Sequence, residues 1–211
     1  MNDDNQSKTP HMGAEVNSGA AGAVPYRQIR AVYDDATIRV YQAYSDTIAR
    51  PALLSGRFVA PFKRERMTWI KPSFLWMMYR AGWGYKEAGQ QTILGIDIDR
   101  AGFEWALRHG CESHPDPGMS PEQWETHKNT HPVRVQWDPE RNLRLEPLPH
   151  RSIQIGLGPQ AVSHYVDDWI CRIEDVTPLA HRIHALVEAG ALDRANAALP
   201  AERPYPTPSG Q

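Results

Sequence analysis

Between Thr37 and Gly56 the apolar period of the chain switches from that of a strand to that of a helix with no loop between. Thr37-Ile-Arg-Val-Tyr-Gln-Ala-Tyr44 alternates as a half-buried strand. Ser45 or Asp46 then caps a helix that stops at Gly56, a residue suited to the left-handed turn that ends helices. Pro51 must lie near the first turn of that helix or kink it. The junction leaves three polar-tipped side chains, Tyr41, Gln42 and Tyr44, where the strand gives way to the helix.

The same directness recurs along the chain. Met67–Ile70 reads as a strand, Pro72 suits a helix N1 position, and the hydrophobic helix 73–80 stops at Gly82. Gln91-Thr-Ile-Leu-Gly-Ile-Asp-Ile98 is a β-branched strand, and Asp99 caps the helix 100–109 behind it. Further strands are expected at 29–33, 132–137 and 151–156. A short helix opens at Ser120, mixed pieces fill 161–173, and an amphipathic helix covers 178–189. Strands and helices mixed without a regular strand–helix–strand beat define an α+β fold. Residues 1–24 and the proline-rich 200–211 read as disordered tails, which leaves 25–199 as one globular domain.

Size and charge narrow the function. A chain of 211 residues with 41% hydrophobic and 23% charged residues can bury one sizeable core. A formal net charge of -2 argues against nucleic-acid binding driven by bulk charge, and leaves room for a local basic groove. Two cysteines imply no disulfide framework and fit a reducing compartment. The start lacks the basic and apolar regions of a signal peptide, and the longest apolar run, 74–78, is too short to span a bilayer. The expectation is a soluble, cytoplasmic protein without a membrane partner.

Glycine-rich dinucleotide and phosphate-loop motifs, the serine nucleophile elbow and the paired-histidine metalloprotease motif are all absent. Cys111-x2-His114-x12-His127-x3-His131 approaches a zinc-finger frame. The intervening PDPGMSPEQWET holds three prolines where a finger needs a strand and a buried aromatic, so the frame reads as a solvent loop without a metal. Asp97 and Asp99 face one side of their strand; Asp99 suits a helix cap and Asp97 a solvated carboxylate.

The richest stretch is Arg64-Glu-Arg-Met-Thr-Trp-Ile-Lys-Pro-Ser-Phe-Leu-Trp76. A strand end carrying Thr68 and Trp69 meets a helix start carrying Lys71 and Ser73, and free N–H groups beside a lysine form an anion site. Trp69 and Lys71 are assigned to a site and Trp76 to the core. Gln154 stands mid-strand between two isoleucines, either exposed or lining a cleft.

Four blocks resemble a known family. RQIRAVYDDATIRVYQAY, RMTWIKPSFLWMMYRAGWG, PVRVQWDPER and RSIQIGL are similar to the signature blocks of domain of unknown function 4291, over about 27–176. That resemblance supplies no activity. More distantly, the chain resembles the ADP-ribosyltransferase superfamily, whose members bind NAD in a split sheet. The run from Val40 through Tyr44 to Gly56-Arg57-Phe58 looks like that family's first core strand and helix. Gln42 stands where the family often has a histidine at the nicotinamide ribose, and Trp69 where a tyrosine stacks on nicotinamide. Leu94-Gly-Ile-Asp-Ile98 is similar to the next core strand, and Gln154 stands where a strand often carries a glutamate.

The resemblance implies an ADP-ribosyltransferase-like split sheet that transfers ADP-ribose, or a phosphate, to a nucleic acid or nucleotide with NAD. Gln42 and Gln154 would be its catalytic residues. Arg39, Tyr44, Arg66, Trp69, Lys71 and Ser73 would hold the cofactor. Arg80 and Arg151 would suit a phosphate-rich partner. A neutral amide at 154 stabilises a cationic transition state less than a carboxylate, which leaves a non-catalytic nucleotide- or RNA-binding module as the rival.

Overall fold

The computed structural model describes residues 24–115 and 117–206. All of the expected N-terminal tail but Val24 lies outside them, as do residues 207–211. Among the described residues nine strands and seven α-helices follow one another without a repeating unit, an α+β arrangement.

The central layer is a three-stranded antiparallel sheet. Counting Arg30–Ala31 as β1, it holds β2 (Thr37–Tyr44) beside β4 (Thr92–Asp99), with β8 (Ile170–Asp175) on β4's other side. β3 (Thr68–Ile70) belongs to a second, four-stranded sheet. There it pairs with β7 (Pro147–Leu157), which pairs with β6 (Val133–Arg141), and β5 (Gly110–Glu112) forms the far edge. β6 runs through Asp138-Pro139, where the sequence suggested a stop, and the register shifts between Pro139 and Arg141 to absorb the proline.

The alternation seen in the sequence divides two cores. Ile38 and Val40 of β2, with Leu94, Ile96 and Ile98 of β4, face the four-stranded sheet and meet Val133, Ile153, Ile155 and Leu157. On the opposite face, Tyr41 and Ile93 pack on α2 (Phe74–Ala81) and α6 (Thr177–Glu188). Trp76 is 6% exposed and lies in the core, where the sequence put it. Pro51 lies inside α1 (Asp46–Ser55), and Gly56 ends that helix at φ 67°, in the left-handed region that glycine adopts without strain.

The tail expected over 200–211 needs correction where it is described. Arg203–Pro204 forms β9 and pairs antiparallel with β1. Tyr205 is 4% exposed, and its hydroxyl donates to Glu104 at 2.8 Å. Prolines carry no periodicity to reveal this, yet a short edge strand tolerates their missing N–H groups.

Candidate functional site

The two sheets meet at one residue pair. Tyr41 N–H donates to Lys71 O (2.8 Å) and Lys71 N–H to Tyr41 O (3.3 Å). That pair is an isolated bridge, and next to it the Gln42 side chain reaches from β2 to β3. Its amide nitrogen lies within hydrogen-bond reach of Thr68 Oγ1 (2.8 Å), Tyr44 Oη (3.0 Å) and Trp69 O (3.1 Å). Its carbonyl accepts from the buried Tyr165 hydroxyl at 2.7 Å. Gln42 is 3% exposed. A buried amide survives there because both of its ends are satisfied.

A cleft of about 620 Å³ opens beside Gln42. Tyr44 and Thr68 share a hydrogen bond of 2.8 Å at its wall. Burial pushes the Tyr44 phenol up to about 12, so it is neutral. Trp69 lies across β7 at Gly156, where an added Cβ would stand 3.0 Å from the indole. Any side chain at 156 would lift that ring.

Opposite stand Gln136 and Gln154, a directly paired couple on β6 and β7. Both amides donate to the same carboxylate, Gln136 to Asp138 Oδ1 (2.9 Å) and Gln154 to Asp138 Oδ2 (2.6 Å). Asp138 holds both amide nitrogens, and the Gln136 carbonyl accepts from Ser113 Oγ at 3.4 Å.

The charged residues that line the cleft are all cationic: Lys63, Arg66, Lys71 and Arg80. Among the described residues no ion pair holds Lys63 or Arg66. Lys71 is 6% exposed, with its ammonium 5.6 Å from the centroid of the Trp76 ring. Burial, reinforced by the positive charge of Arg80 and opposed by Asp138, brings its pKa down to about 7. The lysine therefore sits near its charge transition at neutral pH, and an anion entering the cleft would draw a proton onto it.

Of the residues singled out in the sequence, the structure brings Gln42, Tyr44, Arg66, Thr68, Trp69, Lys71, Arg80 and Gln154 to this cleft. Arg39 lies elsewhere. It makes a bidentate pair with Asp97, both bonds 2.7 Å, and a further bond to Glu174, on the sheet face away from Gln42. This also corrects the picture of Asp97 as a solvated carboxylate. Arg151 is tied to Tyr26 Oη (2.6 Å) and Trp137 O (2.8 Å). Ser73 caps α2 through Trp76 N and donates to Glu140 at 2.8 Å.

The helix N-terminus is closed as well. Glu202 accepts from Phe74 N at 2.7 Å, so an internal carboxyl oxygen fills the place expected of a ligand anion. Sequence reasoning missed Gln136 and Asp138. The Gln136–Gln154 pairing was the available signal, but strand register cannot be read from one strand alone.

The geometry defines an α+β protein with a basic, amide-lined cleft between two sheets. The chain belongs to the family described as domain of unknown function (DUF4291), which matches residues 28–205. No curated protein sequence matches it significantly.

Proposed function

We propose that the cleft binds a nucleotide, with NAD as the cofactor, and transfers ADP-ribose or a phosphate group to a nucleic acid or nucleotide. One observation carries this reading: every charged side chain lining the cleft is cationic, and Trp69 presents a ring beside them. Lys63 and Arg66, which no ion pair holds among the described residues, suit phosphates in a concave site. Arg80 adds a guanidinium loosely paired with Glu87 (3.9 Å), and an aromatic face suits a base or nicotinamide ring. Arg66, Arg80 and Lys71 hold the pyrophosphate, and Trp69 stacks on the ring. The hydroxyls of Tyr44 and Thr68 meet the ribose, with Gln42 fixing their positions from beneath. The Gln154 carbonyl orients the acceptor. The ADP-ribosyltransferase-like split sheet remains part of this proposal, supported by two sheets joined between β2 and β3 through the Tyr41–Lys71 bridge alone.

The rival is a binding module without turnover. It is favoured by the absence of any aspartate or glutamate from the lining, among the described residues. Calorimetric titration with NAD and with a short single-stranded RNA, followed by an assay for free nicotinamide, separates the two. Release of nicotinamide that depends on the protein and falls in Gln42→Ala supports transfer. Binding of RNA with no release from any variant leaves the module. Absence of both NAD and RNA binding refutes both readings.

A further inference from the structure

The sequence frame Cys111–His131 lies apart from the cleft, and the fold changes its meaning. Cys111 is on β5, the far edge of the four-stranded sheet, paired in parallel with β6 opposite Arg134. α4 (Pro121–Thr130) carries His127 in its last turn, and His131 is its C-cap. α4 ends beside Cys111. The ligand atoms of Cys111, His127 and His131 all lie within 4.8 Å of one another.

The surroundings fix this cluster. Arg134 donates to His131 O and Lys128 O, both at 2.7 Å, and so holds the end of α4 against the start of β6. His131 Nδ1 lies 2.8 Å from His127 O. A carbonyl only accepts, so Nδ1 carries the hydrogen and Nε2 keeps its lone pair, the arrangement that orients histidines bound to metals. α4 has no buried residue and therefore lacks an apolar seam of its own.

We propose that Cys111, His127 and His131 bind one zinc ion, with water in the fourth position, and that the ion fastens α4 to the sheet edge. Tetrahedral zinc with bonds of about 2.3 Å to sulfur and about 2.0–2.1 Å to nitrogen holds its donors about 3.3–3.6 Å apart. Small side-chain rotations close the cluster to that size. Binding releases the Cys111 thiol proton to solvent. His114, the fourth member of the sequence frame, is exposed and turned to Ser113 Oγ at 3.0 Å, and takes no part. The expectation of a metal-free loop gives way to this reading, because parallel pairing of β5 with β6 supplies a contact that spacing does not encode.

Untagged full-length protein, dialysed against micromolar zinc and then against buffer, is assayed for metal. It should retain about one equivalent, and His114→Ala should retain as much. His127→Ala and His131→Ala should lose it. With cobalt in place of zinc, the wild type should show a thiolate-to-metal charge-transfer absorption that Cys111→Ser removes. Hydrogen exchange across residues 121–130 should slow when zinc is added. Zinc retention unchanged in His127→Ala, or lost equally in His114→Ala, would overturn the assignment. So would a wild-type chain that retains none.

Discussion

Lys71→Met tests the cleft's electrostatics without any ligand. The fall of the lysine from the ordinary 10.5 to about 7 corresponds to a burial cost on the order of 5 kcal/mol for the ammonium form, at about 1.36 kcal/mol per pH unit. Well below about pH 7 both folded and unfolded chains carry the proton, and that cost is felt in full. Between about 7 and 10.5 the folded state has released the proton while the unfolded state still holds it, so the cost shrinks as pH rises. At about pH 9 roughly 2 kcal/mol of it remains.

Methionine has a similar length and no charge, so whatever it changes in packing is the same at every pH. Urea unfolding of wild type and Lys71→Met at about pH 6 and about pH 9 gives two stability differences. The variant's advantage should shrink by about 3 kcal/mol between them. A difference that stays constant with pH would show that the lysine titrates normally, and would remove the argument that an entering anion recharges it. The same argument expects nucleotide binding near pH 7.5 to take up a fraction of a proton, readable by calorimetry in buffers of unequal ionisation enthalpy.

Two further outcomes follow from the C-terminal segment. Burial, opposed by the bond from Phe74 N and reinforced by Glu140, raises the Glu202 carboxyl from 4.5 to about 8. Its folded state favours the proton, so the stability it supplies is complete below about 4.5 and is lost as pH rises to about 8. Glu202→Gln should flatten that decline in a series of melting midpoints, and an unchanged slope would count against it. Truncation after Leu199 removes β9 and the buried Tyr205, and should lower the melting temperature by several degrees. A truncated chain that melts with the full-length protein would restore the segment to the status of a tail.

Local chemistry determined much of this protein by sequence alone. The strand from Thr37 to Tyr44, the stop at Gly56 and the cap at Asp99 follow from period and terminus residues, which act within a few positions of themselves. Trp69 and Lys71 were legible for the same reason, since a polar and aromatic strand end beside a helix start is a local pattern.

Tertiary structure decided what each polar side chain meets. Arg39 read as a phosphate ligand until cross-strand pairing set Asp97 beside it, and Ser73 is taken up by its own helix cap and by Glu140, which arrives from a distant strand. Pairing of β5 with β6 gathered Cys111, His127 and His131 from a loop that spacing alone made look open. Asp138 behind Gln136 and Gln154 had no sequence signature at all. Residue type and spacing limit what a side chain can do, whereas register and packing choose its partner, and a charged group's role depends on that partner.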